Sequence, residues 1–527
     1  MIDSPSKLSM RRRGARKAGV IGFSAALLSA CTMIPDYHRT APPMATTYPA
    51  DPMKAVGVTT SPGAINREAW RIGWEEFFTD PRLRALIAIA IRENRDLRQA
   101  AGSIEQASGE YDVQHATLLP PIGATGEGMY LSPSRTAGLS FAPGQGRTLS
   151  MFRYYSAGIG FSSYEIDFFG RIRSLSRSAG EKALAQVANQ RSVLISTVSQ
   201  VANAYIAWLG ARELAEVAQN TWQSQAETYR LTKLRFDRGE ADMLTLRQTE
   251  EQVAQSASLR DDALRQEAQD ENALVLLIGA PIPANLPPPG KLGEQTLLAD
   301  IPAGLPSDLL DRRPDIEQAE HTLLSANADI GAARAAFFPK ISLTATDGLS
   351  SLQFHSLFTS AATTWGFTPQ ISIPLFTWGQ ASGNLHTAKG ERAVDLAAYQ
   401  KTVQSAFREV SDALVARGTY LDEAKQAKQL VEASNEAFHL AKLRFSTGSD
   451  SYLTTLQSQR DYLQAQQSRI QVDVLKYQNL VTVYRALGGG WSQRSVPDQN
   501  NGKPVTPKDT GLPGPGASMS SKGLLTP

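Results

Sequence analysis

Residues 96–122 read DLRQAAGSIEQASGEYDVQHATLLPPI, and residues 315–341 read DIEQAEHTLLSANADIGAARAAFFPKI. Aligned at an offset of 219, Asp96, Leu97, Gln99, Ala100, Ile104, Ala107, Tyr111, Ala116, Leu119, Pro120 and Ile122 fall on Asp315, Ile316, Gln318, Ala319, Leu323, Ala326, Ile330, Ala335, Phe338, Pro339 and Ile341. Farther on, Ile166 and Phe169 answer Ile373 and Phe376 at an offset of 207. Leu194, Val198, Val201 and Tyr205 then answer Val403, Phe407, Val410 and Leu414 at 209. At the same offset, Lys233-Leu234-Arg235-Phe236 with Gly239 answers Lys442-Leu443-Arg444-Phe445 with Gly448. Matched segments in one order make the chain an internal duplication, and two copies are too few for a solenoid. Each half is expected to run short helix, strands, then a very long helix.

The helix expectation rests on spacing. No proline occurs from Gly144 to Ala280 or from Leu375 to Val496, and Leu194, Val198, Val201, Tyr205 and Trp208 follow a 4-3-4-3 seam. A helix from Arg171 to Phe236 would be roughly 100 Å long at 1.5 Å per residue. An ordinary amphipathic bundle is the plainer reading of the same stripes, but length and recurrence in both halves favour a rod. Between the helices lie alternating stretches at Ile122–Tyr130, Tyr155–Phe161, Ile341–Ala345 and Ile371–Phe376, crowded by Tyr130, Tyr154, Phe161, Trp365 and Phe367. Aromatics so placed suit the interface girdles of a membrane barrel; a soluble two-hairpin sheet would satisfy the alternation equally. Four strands cannot close a barrel, and lipid excludes open sheet edges. If the strands span a membrane, three chains would pool them into twelve.

The ends set the compartment. Arg11-Arg12-Arg13, Arg16 and Lys17 precede an apolar run, Ala18–Ala30, which closes on Leu28-Ser29-Ala30-Cys31. Residues 1–30 are expected to be a lipoprotein signal peptide, with acyl (palmitate) attachment at Cys31, the only cysteine. Thr32 stands where an Asp would favour the inner membrane, so the outer membrane is expected. The leader carries six Lys/Arg and one Asp, so removing its +5 from the chain's +2 leaves about −3, no footprint for nucleic acid. Residues 31–68 read as an extended arm, 69–280 as the first repeat, 281–305 as a proline-rich linker, 306–488 as the second repeat and 489–527 as a disordered tail. After residue 30 no run of 18 apolar residues occurs.

Catalytic chemistry finds no constellation. His38, His115, His321, His355, His386 and His439 lack metal-ligand spacing, so neither metal nor cofactor is expected. Gly158-Ile159-Gly160 falls within strand alternation rather than before a helix. Asp315, Glu317 and Glu320 follow Pro314 at a helix start, where negative charge complements the dipole. Arg313 is a candidate for pairing between chains.

The lipobox, Arg312-Arg313-Pro314-Asp315-Ile316, Ala335-Ala336-Phe337-Phe338-Pro339 and Tyr164-Glu165-Ile166-Asp167-Phe168-Phe169-Gly170-Arg171 resemble the outer-membrane factor family, the TolC-like exit ducts, in its NodT-like drug-efflux lipoprotein branch. The resemblance covers about residues 20 to 490. It implies a homotrimer with a 12-stranded barrel over an α-helical periplasmic tunnel, girded by an equatorial region. It also implies a multidrug-efflux role with a periplasmic adaptor (membrane fusion) protein and an inner-membrane RND-type transporter. A type I protein-secretion duct is the alternative within transport, and a pore-less coiled-coil scaffold the alternative outside it.

The same resemblance makes the turns at 234–242 and 443–451 the periplasmic tips. Arg235, Phe236, Gly239, Glu240, Arg444, Phe445, Gly448 and Ser449 are then expected to dock the adaptor. Each glycine would end its helix at positive φ, and Asp242 or Ser451 would start the next. Asp242, Thr245, Asp450, Thr454 and Gln457 are expected at the periplasmic gate. Family members often carry acids where Thr245, Thr454 and Gln457 stand here, so the gate ring is expected to be neutral, or charged through Glu240, Asp242 and Asp450.

Overall fold

The computed structural model describes residues 32–39, 69–131, 152–294 and 312–495. The signal peptide, Cys31, most of the arm, part of the linker and the tail beyond residue 495 lie outside them. The elements are α1 (Trp74–Phe77), α2 (Pro81–Glu93), α3 (Arg95–Ala116), β1 (Gly123–Leu131), β2 (Phe152–Ile166), α4 (Arg171–Asp237), α5 (Met243–Ile278), α6 (Pro314–Ala335), β3 (Lys340–Ser351), β4 (Thr363–Ser372), α7 (Gln380–Ser446) and α8 (Tyr452–Ala486). The duplication is carried into element boundaries: α3 and α6 are each 22 residues long and begin 219 apart. Helices α4 and α7 are each 67 residues long and begin 209 apart.

Two compact units form, each drawing on both repeats. Among the described residues, one holds 32–39, 106–131, 152–184 and 321–397, and the other holds 69–105, 185–294, 312–320 and 398–495. The first unit carries an antiparallel sheet in the order β1-β2-β3-β4. Its register pairs Gly123 with Gly160, Ile166 with Ile341 and Lys340 with Ser372. The register shifts between Phe161 and Tyr164, where Ser163 takes a φ of 56°. A Cβ on Gly158 would meet the Asp347 carbonyl at 2.8 Å, so the glycines of β2 allow close approach of β3.

The last expected strand is corrected. β4 ends at Ser372, and Ile373–Phe376 lies beyond it; Pro374, which has no N–H for a ladder, stands in the segment before α7. β1 keeps the expected length but starts one residue later, while β2 and β3 are longer than alternation alone indicated, because their flanks also pair.

In the same unit, Gly331 of α6 leaves room for the arm: a Cβ there would stand 2.7 Å from Ile34 Cγ1 and 2.8 Å from Ser174 Oγ. The Asn327 amide donates to the Pro35 carbonyl at 2.8 Å, and Arg334 donates to that of Met33 at 3.2 Å. The buried hydroxyls of Ser178 and Ser325 meet at 2.9 Å, and His321 Nδ1 lies 2.8 Å from Glu181.

The second unit holds the main apolar core. Phe77, Phe78, Leu83, Leu86 and Ile87 pack with Val198, Val201, Tyr205 and Ile206 of α4, Leu274 and Ile278 of α5, and Val481 and Tyr484 of α8. α4 includes one stretch apolar enough by composition to cross a membrane, but most of that stretch is buried in the protein. Tyr484 stacks on Phe77 at 3.9 Å and donates its hydroxyl proton to the Ile72 carbonyl at 2.6 Å. Asp80 caps α2 by accepting from the Arg82 and Leu83 amides, and its other oxygen accepts from Tyr205 at 2.9 Å.

Two sequence expectations change here. Residues 489–495 are held: the Trp74 amide donates to the Ser492 carbonyl at 3.0 Å, and the Glu75 amide to that of Gln493 at 3.3 Å. A Cβ on Gly73 would lie 2.5 Å from this segment's backbone, so only glycine admits it. Arg313 is consumed within its own chain, by Asp315 at 2.6 Å, Glu409 at 3.0 Å and the Ala486 carbonyl at 3.2 Å. Its side chain is only 10% exposed. A buried guanidinium needs such partners to offset lost hydration.

Candidate functional site

The turns joining α4 to α5 and α7 to α8 are built alike. In the first, the Gly239 amide donates to the Phe236 carbonyl at 2.8 Å and the Glu240 amide to that of Arg235 at 2.8 Å. In the second, Gly448 donates to Phe445 at 3.1 Å and Ser449 to Arg444 at 2.8 Å. Both are Schellman closures, and both glycines take a φ of 75°. The repeated Arg-Phe-x-x-Gly spacing is therefore the spelling of a helix stop. Nothing lies within 4 Å of where a Cβ would sit on either glycine.

The restarts differ. Asp242 caps α5, accepting from the Thr245 amide at 2.7 Å and from the Thr245 hydroxyl at 3.1 Å. The Thr245 amide bond is the main reason that the Asp242 carboxyl titrates below its ordinary range. In the second turn Ser451 occupies the cap position without a side-chain bond to the helix amides. Its neighbour Asp450 takes the charge role, accepting from the Ser451 amide at 2.8 Å and the Thr454 hydroxyl at 3.0 Å. These bonds, the amide first, hold the Asp450 carboxyl low, and Arg444 Nε stands 3.5 Å away.

Thus the structure joins Asp242 to Thr245, and Asp450 to Thr454 and Arg444. Gln457 stands exposed one turn farther along α8 and takes no part in these bonds. Arg235, Glu240, Arg444 and Ser449 are exposed, while Phe236 and Phe445 are half-buried. Thr245 is thus a partner of the capping Asp242, and Thr454 a partner of Asp450, the residue before the cap position.

Sequence reasoning missed the packing beneath the second turn. Phe445 and Tyr452 bring their rings to 5.4 Å, and the Thr455 hydroxyl donates to the Ala441 carbonyl at 3.2 Å, tying α8 to α7. At the Tyr452 position the first repeat has Met243, which is 50% exposed where Tyr452 is 8% exposed. Aromatic residues on both flanks of the second turn were the available signal.

A duplicated chain with a membrane-type antiparallel sheet and two paired long helices closed by capped turns defines the TolC-like class of outer-membrane channel proteins. The sequence pattern described as outer membrane efflux protein matches residues 86–280 and again 305–489. Among curated relatives, the toluene efflux pump outer membrane protein TtgC of Pseudomonas putida is 39% identical over 488 residues, 93% of this chain and 98% of that one. The antibiotic efflux pump outer membrane protein ArpC of Pseudomonas putida is likewise 39% identical over the same shares. Among solved structures, the open state of the MtrE outer membrane channel of Neisseria gonorrhoeae gives a TM-score of 0.79 at 34% identity, covering 89% of this chain and all of that one. The chain belongs to the outer membrane efflux protein family. It is an outer-membrane component of efflux, and the family consists of transport proteins.

Proposed function

We propose that three copies of this chain form a passive exit duct for small apolar or amphipathic toxic compounds, opened by a periplasmic adaptor and energised by an inner-membrane RND-type transporter. The observation that carries this reading is the sheet. Among the described residues, β1 and β4 each pair on one side only, and Tyr130, Trp365 and Phe367 are 65%, 77% and 60% exposed. Such edges and faces suit lipid only when neighbouring copies close the barrel. Relatives named for toluene and antibiotic efflux support the substrate class.

In this reading Arg235, Phe236, Gly239, Glu240, Arg444, Phe445, Gly448 and Ser449 form the adaptor-docking tips. Asp242, Thr245, Asp450, Thr454 and Gln457 lie at the gate, with Asp242 and Asp450 supplying its fixed negative charge. Cys31 carries the lipid anchor, and the arm docked at Gly331 holds the residues just after it. The domain boundaries are those drawn from the sequence, except that residues 489–495 pack with the helical unit, and the linker lies at the equator.

Deleting the gene in its host and restoring it on a plasmid tests the reading. Loss of the gene should raise susceptibility to solvents and antibiotics and the intact gene should reverse it; unchanged susceptibility, in a host without a second duct, contradicts it.

A further inference from the structure

Strand register sorts the sheet into two faces, because partners across strands share a side. On one, Ile159 pairs with Asp347 and Asp347 with Trp365, while Phe161 pairs with Ala345 and Ala345 with Phe367. On the other, Ser156 pairs with Ser350, Gly160 with Thr346 and Thr344 with Thr368. In the closed barrel of the trimeric reading above, on which this inference rests, the apolar face meets lipid and the hydroxyl face the lumen. Closure joins strand edges and leaves the apolar face turned outward.

At the end where β1 and β2, and β3 and β4, turn back away from the helices, the outward face becomes an aromatic ladder. The Tyr155 hydroxyl donates to that of Tyr130 at 2.9 Å, and the two rings stand edge to face at 5.6 Å. Phe354, in the turn after β3, meets Tyr155 at 5.4 Å, and Phe358 meets Phe354 at 6.3 Å. Tyr130, Phe354 and Phe358 are 65%, 61% and 71% exposed. Arg153 pairs with Tyr130 in the register and is exposed beside it. Asp347, the one acid on this face among the described residues, lies about 20 Å along β2 from Arg153, clear of an anion held there.

Rings that present their faces pack against the C–H faces of sugars, and a guanidinium takes phosphate. A phospholipid offers phosphate and acyl chains but no sugar to cover three exposed rings. We propose that the ladder and Arg153 bind a phosphorylated glycolipid of the outer leaflet. Its sugars lie on Tyr130 and Phe354, its phosphate meets Arg153, and its chains run along Ile159 and Phe161.

Full-length protein in detergent, titrated with a fluorescent lipopolysaccharide whose inner sugars carry phosphate, tests it, with particle mass read separately. Arg153→Gln should weaken binding about tenfold, as loss of one charge-assisted hydrogen bond does. It should change nothing when the same glycolipid is stripped of phosphate. Phe354→Ala should weaken both forms severalfold. Thr368→Ala, on the hydroxyl face, should bind as the wild type does. Wild-type binding by Arg153→Gln or Phe354→Ala overturns the inference, as does loss of binding in Thr368→Ala. Displacement of the glycolipid by an equal concentration of phosphatidylglycerol, which has the phosphate without the sugars, also overturns it. Any of these in particles of three chains leaves the duct reading intact. A particle of one chain contradicts that reading itself, and the outward face with it.

Discussion

Gly239 and Gly448 close their helices at positive φ and, in the proposed reading, also belong to the docking surface. With open space around each absent side chain, substitution strains only the backbone. Gly239→Ala or Gly448→Ala should cost about 1 kcal/mol each, the left-handed penalty for an L-residue. Trimers should still form while drug export falls through weaker adaptor coupling; full export by trimeric variants would remove these turns from the docking surface. Tyr484 is the opposite case, buried and doubly used. Tyr484→Phe should lose about 1 kcal/mol with the bond to the Ile72 carbonyl. Tyr484→Ala should lose about 3–5 kcal/mol because it also removes the ring stacked on Phe77. Thermal denaturation of the two variants in detergent checks the ordering. The tip carboxylates set a pH dependence with a definite sign. Because Asp242 and Asp450 are held below their ordinary values, the bonds that they accept are fully present above the usual carboxylate range and are lost as pH falls through the lowered values. Amide protection factors at Thr245 and Ser451, taken against the intrinsic exchange rate at each pH, should therefore stay high at neutral pH and fall only in acid. Loss of protection near neutrality would contradict these bonds.

Helices and strands differed in how plainly the sequence announced them. The long helices were legible because proline deserts and the heptad seam agree, and the repeat then fixed their equal lengths. The turns were legible because glycine at positive φ is a local requirement. β4 was misplaced because its apolar flank, Ile373 to Phe376, carries the stronger period-two pattern, yet Pro374 has no amide for a ladder. The Phe445–Tyr452 contact and the internal pairing of Arg313 were hidden because they depend on tertiary neighbours, and no spacing rule encodes those. The arm belongs at this scale too. Gly331→Val should push a side chain into the space held by Ile34 and loosen residues 33–35 from α6. Limited trypsin digestion should then cut faster after Arg39, with the rest of the fold intact; an unchanged cutting rate would show that the arm is held elsewhere.

At the scale of the whole molecule, the duplication converts a chain of two halves into six similar units when three copies meet, and lipid makes that meeting necessary for the sheet. The halves are not equal at their tips. One rests on an exposed Met243 and the other on the Phe445–Tyr452 pair, so the two turns present different surfaces to a partner. The central claim is that the assembled chain forms a gated path through a bilayer. Purified protein reconstituted into a planar lipid membrane tests it most directly. The account predicts discrete single-channel current steps from trimeric particles once the adaptor is added; trimers that insert into the membrane and carry no current with the adaptor present would contradict it.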